Sequence, residues 1–221
     1  MNGGKTILRH KPLDRLAHWT VAFTGVMSLL SGLSFMFAPL HWLSFIFGTP
    51  QLARILHPFF GVAMCLGLFF LAFRYWHHNH FEQGDLKWML RIKDVLLENE
   101  ERIPEVGQYN PGQKLILRQF LASAVLLLVS GIVAWRAYFS AYFDIEYVRL
   151  ALLTHSAIAA LFGISLLIHA YMAYWVEGSI EGMLDGKVSP AWAKQHHPRW
   201  YRELFAKKAP NKKTQSKETQ K

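Results

Sequence analysis

The sequence predicts an all-α integral membrane protein, with four transmembrane helices in a bundle and both chain ends on the cytoplasmic side. Three observations predict it. Apolar residues make up 52% of the chain and gather into long charge-free blocks, which a soluble domain of 221 residues does not do. All but three of the 24 Lys and Arg residues fall on one side of the resulting topology, as cytoplasmic segments require. The single cysteine, Cys65, lies within an apolar block as a small packing residue. It excludes internal disulfides, cysteine-ligated clusters and a CxxCH attachment. The net charge of +9 follows from the one-sided loops, so no nucleic-acid partner is implied.

The elements follow in order. Residues 1–16 are polar and basic, with Lys5, Arg9, Lys11 and Arg15. From Leu16 the chain is uncharged as far as Ala53, too long for one crossing. Pro39 and the Gly48-Thr49-Pro50 turn divide this run into a first helix at about 17–38 and an interfacial piece at 40–47. The first block is too long for a signal-peptide core and no small-x-small cleavage site follows it, so it is expected to be retained. The second helix, about 55–76, ends at Arg74 and the His77-His78-Asn79-His80 cluster. Those histidines offer a metal site that their spacing alone does not demand, and like His41 they fit a solvated interface better. Within the polar stretch 79–113, residues 86–97 place Leu86, Met89, Leu90, Lys93 and Leu97 on one side, a pattern for lying along the membrane surface.

The third helix is expected at about 114–136 and the fourth at about 148–176. His196, His197, Trp200 and Tyr201 read as an aromatic and basic belt at the cytoplasmic surface. The bundle domain thus occupies residues 1–206. Residues 207–221 form a basic tail, Lys-, Gln- and Thr-rich and expected to be disordered. With the N-terminus inside, the outer loops hold only Arg54, Arg136 and Arg149. The chain is therefore placed in the bacterial cytoplasmic membrane.

Function is carried by histidines inside the crossings. In the uncharged run 150–176, His155 and His169 lie 14 residues apart. At ~100° and ~1.5 Å per residue they share nearly one face, ~21 Å apart along the axis. An imidazole at such depth is costly unless it faces an internal site with a partner. His18 opens the first helix on the cytoplasmic side, and His57 opens the second on the outer side. Two pairings match in depth: His57 with His155 outside, and His18 with His169 inside. Each pair is suited to clamp one iron from both faces, giving two six-coordinate b-type haems fit for electron transfer. Small residues flank these positions: Gly25, Ser28 and Gly32 on the first helix, Gly61 on the second, Ala159 and Gly163 on the fourth. Small-residue packing accounts for any one helix; haem accounts for matched depths across all of them. The third helix offers no ligand and reads as scaffold.

With the histidines placed, the chain resembles the cytochrome b (gamma) subunit family of respiratory formate dehydrogenases. The resemblance runs to about Phe205. It rests on Gly48-Thr49-Pro50-Gln51-Leu52-Ala53-Arg54-Ile55-Leu56-His57-Pro58-Phe59, on Tyr109-Asn110-Pro111-Gly112-Gln113-Lys114, and on Trp192-Ala193-Lys194-Gln195-His196-His197-Pro198-Arg199-Trp200-Tyr201-Arg202-Glu203. The family's four ligand positions match His18, His57, His155 and His169. One local departure is Arg136-Ala137-Tyr138 in a loop, where Arg-Pro-Tyr is usual.

The resemblance implies a membrane anchor and electron relay that carries no active site for formate itself. A molybdenum or tungsten catalytic subunit would oxidise formate outside. An iron–sulfur subunit would feed the outer haem, and the inner haem would reduce menaquinone or ubiquinone near the cytoplasmic face. The heterotrimer could assemble into a higher oligomer. The implied quinone site is Asn110, Gly112 and Gln113, with His169 as ligand and pocket wall. Chemically, two amides supply hydrogen-bond donors to quinone oxygens and a glycine allows close approach. The same residues also read as an Asn-Pro-Gly turn ahead of a helix. Two other functions compete: a diheme cytochrome b of a hydrogenase or thiosulfate-reductase type complex, and a transporter or channel with a histidine proton relay.

Overall fold

The computed structural model describes residues 6–97 and 102–208. In chain order the elements are strand β1 (Ile7–Leu8), α1 (Pro12–Met36), a 3₁₀ segment (Ala38–Phe47), α2 (Pro50–Tyr75), α3 (Asp85–Leu90), α4 (Ile92–Leu96), α5 (Pro111–Ala134), α6 (Ile145–Trp175), α7 (Ser179–Asp185), strand β2 (Lys187–Val188), α8 (Pro190–His196) and α9 (Pro198–Lys208). Four of them, α1, α2, α5 and α6, are long and apolar enough to cross a bilayer. The described residues form two compact units. One comprises Arg9–His77 and Leu115–Gly186; the other holds the described parts of 1–8, 78–114 and 187–221.

Each long helix begins several residues before its uncharged stretch, because local chemistry starts it there. Pro12, Pro50 and Pro111 occupy first-turn positions, where the missing N–H is no loss. At α2 the Thr49 hydroxyl accepts from Leu52 N–H at 3.1 Å. The preceding Gly48 adopts φ +91°, a conformation that favours glycine. Pro58, directly after His57, lies inside α2, which continues through it. The 40–47 piece is the 3₁₀ segment, extended two residues N-terminally.

The bundle unit is built inside-out relative to a soluble domain. Its buried positions include Ser31, Ser34, Ala53, Ser123 and Ala124, while Phe73, Leu153, Ile164 and Leu167 face outward. Lipid tails are as apolar as leucine, so helix association there gains from close packing rather than from burying large side chains. The buried hydroxyls cost little, since Ser31, Ser34, Ser130 and Ser165 each donate to a carbonyl of their own helix. A compact core of Met64, Cys65, Leu68, Phe120, Ala124, Leu127 and Phe162 fills the middle. Asp14, buried on α1, pairs with Arg74 on α2. Just past α7, Gly186 takes φ +77°, and its carbonyl accepts from the N–H groups of Arg9 and His10 at 2.9 and 3.1 Å.

The second unit contains structure that the helical reading did not anticipate. β1 and β2 pair antiparallel, Ile7 opposite Val188 and Leu8 opposite Lys187. Ile7 and Val188 join Ala193, Trp200, Trp192, Tyr201 and Leu204 in a small core. This corrects the expected belt: Trp200 is 5% and His197 2% exposed. His197 Nδ1–H donates to the Gly107 carbonyl at 2.7 Å. The amphipathic stretch 86–97 is not one helix but two, α3 and α4, meeting at Arg91. Leu86, Leu90 and Leu97 are exposed and Trp88 is buried. Lys114 is buried, its Nζ 2.8 Å from Asp85 Oδ2, and Arg199 and Arg202 pair with Glu82 and Glu105. The expected tail differs at its start, since Lys207 and Lys208 belong to α9. Residues 209–221 lie outside the described residues.

Candidate functional site

The bundle brings its four interior histidines together two by two. The His57 ring on α2 and the His155 ring on α6 lie with centroids 6.1 Å apart and planes at 65°. His18 on α1 and His169 on α6 repeat the arrangement at 6.1 Å and 54°. All four rings are half-buried. The spacing is too wide for a direct hydrogen bond and about right for one metal between them. Two nitrogen–metal bonds of ~2 Å each, plus about an ångström from each ring centre to its outer nitrogen, sum to roughly 6 Å. The donor set is all imidazole, which suits haem iron.

The His57–His155 pair is held by hydroxyls. Ser31 Oγ on α1 lies 2.8 Å from His57 Nδ1, and Ser130 Oγ on α5 lies 3.0 Å from His155 Nδ1. The next residue in each case is a glycine. A Cβ at Gly32 would stand 3.4 Å from His57 Cε1, and one at Gly131 would stand 3.3 Å from His155 Cε1. The third crossing is therefore more than scaffold: it supplies Ser130 and Gly131 at one level and Phe120 at the other, 5.9 Å from His169 and edge-on. Sequence reasoning missed both serines, although the Ser31-Gly32 and Ser130-Gly131 dipeptides, each preceded by apolar residues, were a readable signal. The small residues Gly25 and Gly163 meet side chains across the bundle, Met64 at 3.3 Å and Leu29 at 3.2 Å from an added Cβ.

The other flagged residues separate. Asn110 and Gln113 form a reciprocal cap on α5: Gln113 N–H donates to Asn110 Oδ1 at 2.9 Å, and Asn110 N–H to Gln113 Oε1 at 3.0 Å. The Asn-Pro-Gly turn is thus a helix N-terminus. An added Cβ at Gly112 would lie 3.3 Å from Asn110 Oδ1, the oxygen that accepts the cap bond, and in ordinary contact with the Trp88 ring. These three residues belong to the second unit, and His169 belongs to the bundle. Among the described residues, no three His, Cys, Asp or Glu side chains converge as a metal-ion site, the His77–His80 cluster included.

Four apolar crossings around two tiers of facing imidazoles are the architecture of a membrane-bound b-type cytochrome, a multi-pass electron carrier of the cytoplasmic membrane. The comparison with known proteins agrees. Residues 9–186 match the family described as prokaryotic cytochrome b561, and the chain belongs to that family. It is 48% identical, over 92% of its own length and 94% of the relative's, to the cytochrome b556(Fdn) subunit of the nitrate-inducible formate dehydrogenase of Escherichia coli K12. It is 46% identical to the cytochrome b556(fdo) subunit of the same strain, over 90% of its length and 93% of the relative's. Against a formate dehydrogenase cytochrome b556 subunit of Haemophilus influenzae the identity is 45%, over 89% of the chain and 83% of the relative.

Proposed function

We propose that this chain is the membrane subunit of a formate dehydrogenase, anchoring the complex and passing its electrons inward to quinone. The observation that carries the reading is the pair of facing-imidazole tiers, each spaced for one iron. Its relatives' names supply the partner class. His57 and His155 would hold the outer haem b and His18 and His169 the inner one. Haem held by these histidines would supply one-electron exchange between ferric and ferrous iron. The chain's own residues fix the two levels: α6 contributes to both, α2 to the outer and α1 to the inner. The Lys and Arg distribution orients both termini toward the cytoplasm. The outer tier then faces an iron–sulfur subunit, which in turn carries a molybdenum or tungsten catalytic subunit.

Quinone, menaquinone or ubiquinone, takes two electrons and two protons to become quinol. We assign its recognition to Asn110, Gly112 and Gln113, with His169 as the inner ligand. The capping pair commits both side-chain carbonyls to the backbone and leaves each amide NH₂ outside the box, able to donate to a quinone oxygen.

The test is the complex purified through a tag on this chain, from cells supplied with ample haem. Two haems per chain, a co-purifying molybdopterin-type subunit and haem bands that bleach to the reduced form with formate are expected. A colourless preparation overturns the electron-transfer reading. Haems reduced by hydrogen and not by formate assign the chain to a hydrogenase-type complex instead.

A further inference from the structure

We propose that Ser31 and Ser130 are positioning residues that fix the proton tautomer and orientation of the outer imidazoles and thereby make the outer tier the harder of the two to reduce. This rests on the haem reading above and deepens it. Each serine hydroxyl also lies close to a helix carbonyl, Ser31 Oγ 2.8 Å from Met27 O and Ser130 Oγ 2.6 Å from Leu126 O. A carbonyl can only accept, and a hydroxyl has one proton to give. That proton goes to the carbonyl, so the serine oxygen receives its second bond from the ring, as Nδ1–H. The lone pair of His57 and of His155 is then confined to Nε2, the nitrogen free to bind iron. The same device is built twice, on helices remote in sequence, with a glycine beside each hydroxyl that leaves the ring room to sit against the backbone.

The inner tier lacks it. Among the described residues His18 Nδ1 is buried without a hydrogen-bond partner, and His169 is bordered by the Phe120 ring rather than by a hydroxyl. A ligand that donates its distal N–H is more basic and stabilises the more highly charged metal state. The clipped outer pair therefore favours ferric iron relative to the unclipped inner pair. Electrons entering at the outer level are then driven toward the inner one.

The experiment uses the intact complex carrying Ser31→Ala, Ser130→Ala, the double variant, and Ser130→Thr. The midpoint potential of each haem is titrated optically, and the low-spin electron paramagnetic resonance lines are recorded. Each alanine is expected to shift the outer haem's ferrous preference upward by about tenfold, ~59 mV for a one-electron couple. The double variant shifts it further, the outer lines move as the rings turn, and Ser130→Thr restores the wild-type values. The inner haem stays unchanged throughout. If an alanine variant loses the outer haem while keeping the inner one, that also supports the positioning role. If both haems are lost, Ser130→Cys, near-isosteric with a weaker acceptor, decides: an intermediate shift of the outer potential supports the proposal and no shift overturns it. Unaltered outer potential and lines in an assembled double variant, or equal shifts of both haems, overturn it. A wild-type complex with no haem fails the underlying reading instead, so the two failures are separable.

Discussion

Ser130 on α5 and His155 on α6 meet at 3.0 Å between hydroxyl oxygen and ring Nδ1, and Ser31 meets His57 in the same way at 2.8 Å. A helix with no interior histidine thus governs how the His155 ring on its neighbour is presented. Five consequences can be measured.

Removing a ligand should empty one tier only. His155→Ala is expected to leave one haem per chain and to prevent formate from reducing the inner one. His169→Ala should also leave one haem, which formate still reduces. Haem content and reduced-minus-oxidised spectra on membranes with verified assembly distinguish these outcomes. Equal loss of both haems in an assembled variant contradicts the two-tier reading.

The α1–α2 contact depends on Gly67, where an added Cβ would fall 2.5 Å from Val21 Cγ2. Gly67→Ala should cost about 1–3 kcal/mol by overpacking. Val21→Ala in the same chain should recover most of it, a coupling that thermal denaturation in detergent reads as a double-mutant cycle.

Lys114→Met strands the carboxylate of Asp85, a residue 6% exposed, whose other side-chain hydrogen bond among the described residues comes from Glu82 N–H at 2.9 Å. Loss of about 3–5 kcal/mol is expected. Adding Asp85→Asn should restore stability, because the amide still accepts from Glu82 and no buried charge remains. Proteolysis of the stretch around residue 85 offers a local measurement.

Gln113→Glu separates the helix cap from quinone recognition. The carboxylate still accepts the Asn110 N–H, so the melting temperature should hold, whereas the amide donor is gone and the KM for quinone should rise several-fold. Asn110→Ala, by contrast, removes the cap acceptor and should lower stability by ~0.5–2 kcal/mol. An unchanged KM in Gln113→Glu removes Gln113 from the quinone site.

His10 lies outside the crossings and is pushed down to about 4 by burial and then by the Arg9 charge. Arg9 Nε–H donates to His10 Nε2 at 3.2 Å, which requires the neutral ring. The depressed value means that the unfolded chain binds a proton below pH ~6.5 that the folded chain refuses until about 4. Stability should therefore fall as pH drops from 7 toward 4, by an amount on the order of a few kcal/mol. His10→Gln should flatten that dependence in detergent melts at pH 7 and 5.

Much of this was legible in the sequence. Charge-free runs mark crossings because an uncompensated charge in hydrocarbon is costly, and the turn at Gly48-Thr49-Pro50 marks a helix start through backbone preference alone. The 14-residue spacing of His155 and His169 places both on one stripe by helical geometry, without knowledge of any neighbour. Reading α5 as scaffold failed for a different reason. A serine in an apolar helix satisfies itself on its own carbonyl, as both Ser130 and Ser165 do, so only the glycine after Ser130 marks it locally, and that glycine does not say which ring it meets.

What the sequence by itself determined is therefore the set of crossings and the faces on which imidazoles lie, since these depend on hydropathy and on the period of a single helix. Only the tertiary structure decided how closely the paired rings approach, which hydroxyl holds His57 and which holds His155, and that His197 and Trp200 are buried beside a two-stranded sheet rather than spread along an interface. Those contacts join residues 25 to 181 positions apart, such as Ser130 with His155 and Ile7 with Val188. No periodic signal spans such separations; packing alone selects them.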